Sequence, residues 1–245
     1  MPVISFANPK GGTGKSTSAL ILALELAHRG GKVALVDCDP NQTTAGWAAA
    51  RDKNGDKTPF NAIANPGERD VIDVLDKLSA EYPFVIVDLE GTASLMMSRA
   101  MSRSDLTIIP MQPSPVDAKQ AARAVSLIRV EEKTLRRRIP MRILMTRNNP
   151  AIRTRDEKAI IRQLEAAAVP ILDVPLHERA AFRALFSFNK TLRELTKAES
   201  AGLPRALENA EGFAYFVIKA LKEEMRGDAD TAAGVSTNAS SSEAA

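Results

Sequence analysis

Cysteine is nearly absent from this sequence. Its 245 residues include only Cys38, which excludes a disulfide framework and a metal site built on paired cysteines within one chain. A lone cysteine also fits a reducing compartment. The sequence does not open on the basic and then apolar layout of a signal peptide, and no apolar run reaches the length of about 18 residues that a membrane-spanning helix needs. We therefore expect a soluble, cytoplasmic protein with no membrane partner.

Aromatic and branched apolar residues are scarce in the last stretch, residues 227–245. It holds a single Val and no aromatic side chain, and Ala, Ser, Thr and Asp make up most of it. A segment of this composition cannot bury enough apolar surface to offset the entropy that ordering costs. The sequence therefore predicts one domain over residues 1–226 and a disordered tail over 227–245.

Glycine and lysine, in contrast, are concentrated in residues 8–17, Asn-Pro-Lys-Gly-Gly-Thr-Gly-Lys-Ser-Thr. The apolar stretch 3–7 before them predicts a buried strand, and the Leu- and Ala-rich stretch 19–27 after them predicts a helix. Glycines let backbone N–H groups approach a phosphate, and a helix N-terminus favours its negative charge. The segment therefore predicts a phosphate-binding loop in which Lys15 meets the β- and γ-phosphates and Ser16 is a ligand to Mg²⁺.

This loop departs from the usual G-x-x-x-x-G-K-[ST] pattern, because Pro9 takes the first glycine position and Lys10 adds a second lysine. It resembles the deviant Walker A motif of ParA/MinD-type P-loop ATPases. The resemblance implies ATP and Mg²⁺ as cofactors, hydrolysis of ATP, and a homodimer in which Lys10 reaches the partner's phosphates. Lys10 and Lys15 would then be catalytic. The residues implied to bind the nucleotide phosphates are Gly11, Gly12, Thr13, Gly14, Lys15, Ser16 and Thr17.

Two further predicted strands, 32–37 and 84–88, each end in an acid. The carboxyl ends of parallel strands are where a doubly wound sheet gathers its functional residues. By the family resemblance, Asp39 would position the attacking water and join the metal site. Asp88 would be the Walker B acid that holds Mg²⁺, through a water molecule. Gly91 would supply a backbone N–H that senses the γ-phosphate.

Glu90 is a second departure, since the family usually continues as D-T-P-P after the Walker B acid. It could be a catalytic base, but an acid in an exposed loop is the favoured interpretation. The loops after the last two strands enclose adenine in the family, which implies that role for Asn148 and Pro175. An Asn-rich turn that only caps a strand end is an equal alternative for Asn148.

Strand and helix alternate along the chain. Seven strands are predicted, at 3–7, 32–37, 60–63, 84–88, 105–110, 142–146 and 169–175. Helices are predicted between them and over 182–196 and 205–226. This alternation predicts an α/β fold, a doubly wound and mainly parallel sheet flanked by helices. The family resemblance places it among P-loop NTPases of the SIMIBI-like class.

Charge is distributed unevenly, with +8 in residues 101–200 against −2 before and −3 after them. A basic middle suggests a polyanion partner, although a solvated basic face is an equal alternative from charge alone. The resemblance to the ParA branch, together with this balance, implies non-specific DNA binding, and localisation to the nucleoid when ATP is bound. The candidate DNA contacts are Arg136, Arg137, Arg138, Arg155, Lys158 and Arg162.

Because no helix-turn-helix precedes residue 1, operator recognition is not expected. Partition or positioning of plasmid or chromosomal DNA, with the help of a ParB-like adaptor, is the function that the resemblance favours. Two alternatives stay open. One is a small-molecule ATP-dependent ligase of the dethiobiotin-synthetase type. The other is a ParA-like assistant of conjugative DNA transfer, which the segment 176–179, Leu-His-Glu-Arg, resembles.

Overall fold

A seven-stranded sheet forms the centre of the molecule. The computed structural model describes residues 1–149 and 154–239, with side chains described up to residue 226. The strand order is β3-β2-β4-β1-β5-β6-β7, and every neighbouring pair is parallel. The strands are β1 Val3–Phe6, β2 Val33–Asp37, β3 Asn61–Ala64, β4 Phe84–Asp88, β5 Leu106–Met111, β6 Met141–Asn148 and β7 Leu176–His177. The predicted α/β fold with a doubly wound sheet is confirmed.

Helices cover both faces of this sheet. One layer contains α1 Lys15–His28, α2 Thr43–Lys53, α7 Ala180–Phe188 and α8 Leu203–Ala239. The other contains α3 Val71–Glu81, α4 Leu95–Met101, α5 Pro115–Leu135 and α6 Arg155–Ala166. A separate apolar core fills each space between sheet and helices. The central strands are therefore buried on both faces, which explains why they are apolar runs rather than alternating ones.

The register of the sheet brings the strand ends together. Phe6 and Asp37 both pair with Asp88, so β1, β2 and β4 end at the same level. The loop from β1 to α1 leaves from this edge, and it is the loop that carries the predicted phosphate site. The fold thus places the acids of two strands beside the glycine-rich loop.

The last third of the chain differs from its prediction in detail. The strand predicted over 169–175 is wrong, since only Ile171 bridges to β6 there and the strand itself comes at Leu176–His177. Pro170 and Pro175 lack the N–H that a ladder requires. The predicted helix over 182–196 ends early, because Asn189 adopts a left-handed conformation with φ of 50°.

The C-terminal helix is longer than expected. It was predicted to end at Arg226, whereas α8 continues to Ala239, and residues 240–245 lie outside the described part. The division into a domain and a tail stays a prediction. In the part of the chain that the structure describes, no helix has the length and apolar character to cross a membrane.

Candidate phosphate-binding site

The backbone of the loop depends on glycine at specific positions. Gly12 and Gly14 have φ of 77° and 100°, in the left-handed region that other residues avoid. Gly91 packs on the loop from the end of β4, and a Cβ there would lie 2.9 Å from the Gly11 nitrogen. A side chain at these positions would displace the loop. The structure therefore brings together the loop and Gly91, which are distant in sequence but were predicted to share one site.

Lys15, the first residue of α1, lies against this loop with a side chain that is almost fully buried. Its ammonium donates a hydrogen bond to the Lys10 carbonyl at 3.1 Å. Burial lowers the pKa of Lys15, and the negative charges of Asp88, Asp39 and Glu90 oppose that shift. No ion pair holds Lys15 within residues 1–149 and 154–226. Its charge is therefore available for an incoming phosphate.

Lys10, the additional lysine of the loop, makes a contact that the sequence did not reveal. Its ammonium donates to both carboxylate oxygens of Asp117 at 3.0 Å. Asp117 is 3% exposed and lies in the first turn of α5, where Ser114 Oγ is 2.5 Å from Asp117 Oδ2. Lys10 is thus held by its own subunit in this structure.

Asp88 and Asp37 end neighbouring strands but have different surroundings. Both are fully buried. Asp37 Oδ2 accepts hydrogen bonds from Thr44 N, Thr44 Oγ1 and Ala45 N, so it caps the start of α2. Neither oxygen of Asp88 has a hydrogen-bond partner among the described residues. Of the two acids, only Asp88 retains free oxygens for a ligand.

Burial raises the pKa of Asp88 to about 7, and the negative charges of Asp37 and Asp39 contribute to that rise. The nearby Ser16 hydroxyl and Lys15 ammonium oppose it only in part. A buried carboxyl group without partners fits a divalent cation, which would supply the missing positive charge. In the described residues no group of three or more His, Cys, Asp and Glu side chains could hold a metal. A cation at Asp88 would therefore depend on Ser16 and on the phosphates of a nucleotide.

Asp39 lies in the turn after β2 and is half-buried. Its Oδ1 accepts hydrogen bonds from the backbone N and the side-chain Nδ2 of Asn41, both at 2.9 Å. Asp39 therefore fixes the shape of this turn. Its charge also acts on Lys15 and Asp88, which places it at the same site.

A cavity of about 370 Å³ adjoins the loop. Gly14, Thr17 and Ser18 form its near side. Its other lining residues come from the ends of β6 and β7 and from α7: Thr146, Arg147, Leu176, His177, Glu178, Arg179, Phe182, Arg183 and Phe186. The size and position suit a nucleoside attached to phosphates in the loop. Sequence reasoning missed most of these residues, because their only signal is their position after a strand.

Asn148 and Pro175, the residues implied for adenine, do not line that cavity. They line a second one of about 610 Å³ that contains no residue of the phosphate loop. The Asn148 side chain lies between His177 Nδ1 at 2.8 Å and Glu157 Oε1 at 3.3 Å, which fixes β7 against α6. The Pro175 carbonyl accepts a hydrogen bond from Asn209. Their role in adenine binding stays a prediction.

The six candidate DNA contacts fall into two groups. Residues 136–138 follow α5 at the amino end of β6. Arg155, Lys158 and Arg162 lie along α6, which begins after the carboxyl end of β6 and runs back toward its amino end. The two groups therefore lie on different elements, and all six side chains are exposed.

Two of the three arginines before β6 are already engaged within the chain. Arg137 donates to the carbonyls of Ser102 and Ser104. Arg138 pairs with Glu224 of α8 at 2.9 Å. Substitution here would disturb the packing as well as any DNA contact. In contrast, no ion pair involves Arg155, Lys158 or Arg162 within the described residues.

Comparisons with known proteins agree with this geometry. The family model for the VirC1 protein matches residues 1–223. The ParA protein of Rhizobium radiobacter is 40% identical over 228 residues, 92% of this chain and 100% of that protein. The virC1 protein of Rhizobium rhizogenes is 27% identical over 190 residues, 76% of this chain and 80% of that protein.

Solved structures share the fold. The ATP complex of a McdA variant from Cyanothece has a TM-score of 0.70 at 16% identity, covering 92% of this chain and 96% of that one. MinD from Pyrococcus horikoshii, complexed with Mg-ADP, has a TM-score of 0.67 at 18% identity, covering 91% and 98%. With the loop geometry and the match over residues 1–223, these findings show that the chain belongs to the VirC1 family of ParA/MinD-type P-loop ATPases.

Proposed function

We propose that this chain binds Mg·ATP, dimerises around it, binds DNA without sequence preference and hydrolyses the ATP to release the DNA. The observation that carries the proposal is the pairing of a glycine-rich loop with the buried Asp88, whose oxygens have no hydrogen-bond partner among the described residues. Such a combination of backbone donors, a lysine and an acid for Mg²⁺ provides the positioning and charge neutralisation that phosphoryl transfer needs.

Different residues of the site would bind the phosphates, hold Mg²⁺ and position the attacking water. Lys15 and the loop N–H groups would hold the phosphates, and Ser16 and Asp88 would hold Mg²⁺. The cation supplies neutralisation of the charge that develops on the phosphate oxygens. Asp39, held in its turn by Asn41, would position the attacking water. Nucleotide binding would thereby give Lys15 a negatively charged partner and would bring a cation to Asp88.

Lys10 would connect hydrolysis to dimerisation. In this structure its ammonium is bound to Asp117 of the same subunit. Its side chain is one third exposed, so the ammonium can leave for a phosphate of the facing subunit. Dimerisation through Lys10 would therefore exchange one ion pair for another.

The surface that we propose for DNA is the exposed side of α6. Arg155, Lys158 and Arg162 follow at i, i+3 and i+7 and share one helix face. Lys119 and Arg123 of the neighbouring α5 are exposed as well. A duplex held by such contacts loses affinity with salt, by a slope of about 0.9 per phosphate neutralised. A dimer presents the surface twice, so ATP should strengthen binding.

A filter-binding series over salt, with and without ATP, tests the proposal. Replacing Arg155, Lys158 and Arg162 together by Glu should lower affinity equally for unrelated DNA sequences and leave ATP affinity unchanged. The matched control replaces three exposed lysines near the opposite edge of the sheet, Lys53, Lys57 and Lys77. DNA affinity that is indifferent to ATP, or a flat response to salt, would contradict the proposal and favour the small-molecule ligase.

Two uses of such an ATPase deserve separate tests. The similarity to ParA supports partition or positioning of DNA, through an adaptor of the ParB kind, with the ATP-bound protein on the nucleoid. The match to the VirC1 family supports assistance of conjugative DNA transfer. Deleting the gene and measuring plasmid loss and transfer frequency in parallel separates them. More frequent plasmid loss with normal transfer indicates partition. Normal plasmid maintenance with reduced transfer indicates a role in transfer.

A further inference from the structure

Glu90 has no assigned role, and its surroundings differ from those expected of a loop acid. The side chain is half-buried rather than exposed. It makes no hydrogen bond or ion pair with residues 1–149 or 154–226. Neither of its oxygens is among the buried atoms that lack a partner in the described part of the chain. The carboxylate is therefore open to water and to a ligand at this site.

The backbone places Glu90 beside the phosphate loop. Gly91 approaches Gly11 so closely that a Cβ on it would lie 2.9 Å from the Gly11 nitrogen. Glu90 is the preceding residue, and consecutive Cα atoms are about 3.8 Å apart. Two residues before it, Asp88 ends β4 at the proposed cation site. The negative charge of Glu90 also acts on the Lys15 ammonium. Along the chain, Glu90 thus stands between the acid proposed for the cation and the residue proposed to sense the γ-phosphate.

Other acids of the site are less suited to receive a proton. Asp37 is saturated by three donors from α2. Asp39 uses Oδ1 for two bonds to Asn41. Asp88 is the acid proposed for the cation, and Asp117 is bound to Lys10. Among the described acids of this site, Glu90 is the one that has neither a hydrogen bond or ion pair within the described residues nor another proposed task.

We propose that Glu90 is a further catalytic residue, which accepts the proton of the attacking water while Asp39 holds the turn that positions it. This inference rests on the proposed function. As the water oxygen bonds to the γ-phosphorus, one O–H bond breaks and its proton passes to the Glu90 carboxylate. The bond from the γ-phosphorus to the bridging oxygen breaks, and ADP leaves with that electron pair. Glu90 then returns the proton to phosphate or solvent.

The test compares Glu90→Gln with the wild type and with Glu81→Gln, an exposed acid at the end of α3. Glutamine keeps the size of the side chain but replaces the carboxylate, which can accept a proton, with an amide. We expect kcat to fall at least tenfold, because proton acceptance by a positioned side chain contributes about 10²–10⁴-fold. The KM for ATP should stay within twofold, and Glu90→Asp should recover part of the rate.

A second readout does not depend on turnover. Glu90→Gln incubated with Mg·ATP should retain ATP rather than ADP, and the dimer seen by light scattering should persist longer than that of the wild type. Recovery of kcat at high Mg²⁺ would show a metal ligand instead and overturn the inference. A kcat within threefold of an active wild type would also overturn it and leave the proposed function standing. If the wild type binds ATP without hydrolysing it, both the catalytic role of Glu90 and the proposed function are overturned.

Discussion

The ion pair between Lys10 and Asp117 predicts that Asp117→Asn strengthens ATP-dependent dimerisation. In the free subunit Lys10 is held by two hydrogen bonds of 3.0 Å to a carboxylate that is 3% exposed. If Lys10 must reach the other subunit's phosphate, it has to give up this pair and leave a buried charge behind. Asparagine keeps the shape and the oxygen near Ser114 but removes that charge.

The size of the expected change in dimerisation free energy follows from the burial of Lys10 and Asp117. A hydrogen bond to a charged group contributes about 1.5–3 kcal/mol when it is buried. The lower end applies here, because Lys10 is 33% exposed and can reach water. A dimer releases two such lysines, so the substitution should favour it by about 3 kcal/mol. Since about 1.4 kcal/mol corresponds to a factor of ten, the dimer Kd should fall about 100-fold.

Sedimentation velocity across a series of protein concentrations, with saturating Mg·ATP, measures this Kd. The control is Asp76→Asn. It removes an exposed ion pair of similar length, between Asp76 and Arg103, and should leave the dimer Kd unchanged. Titration calorimetry establishes that the nucleotide affinity of Asp117→Asn is unaltered. If Asp117→Asn dimerises no more tightly than the control, Asp117 does not restrain Lys10 and the reasoning is refuted.

Further predictions concern the loop and the two acids around it. Lys15→Ala should abolish ATP binding, since it removes the main positive charge at the phosphates, and unchanged affinity by calorimetry would contradict the phosphate site. Asp39→Ala should bind ATP but hydrolyse it slowly, so that an ATP-bound dimer accumulates in light scattering; normal turnover would contradict its role. In metal-free protein, the pKa of Asp88 rises from 3.8 to about 7 on folding, so ionisation opposes folding increasingly between these values. Asp88→Asn should therefore stabilise the nucleotide-free protein by an amount that grows from pH 5 to 7 and then levels off, with a ceiling of roughly 4 kcal/mol. Thermal unfolding across that range checks it, and a constant difference would argue against the shift.

Local sequence determined the phosphate loop and most of the order of strands and helices along the chain. The glycines of residues 8–17 and the apolar runs on either side act over short distances, where backbone preference and burial dictate strand, loop and helix. Whereas the helix predicted over 205–226 lies within α8, the same local signals failed between residues 169 and 196. There the chain contains prolines and a left-handed Asn189, and short stretches take their structure from what they pack against.

Tertiary structure alone decided which charges are free. Lys10 and Asp117 are 107 residues apart, and Arg138 meets Glu224 through α8, so no spacing could reveal either pair. Asp37 and Asp88 end adjacent strands in similar apolar contexts. The Asp37 side chain accepts hydrogen bonds from the start of α2, whereas the Asp88 side chain has no hydrogen-bond partner in the part of the chain that the structure describes. Hydrogen-bond saturation depends on which atoms the sheet register brings within about 3 Å. For that reason the sequence determined which residues form the site, and only the folded chain decided which of them can still bind a ligand.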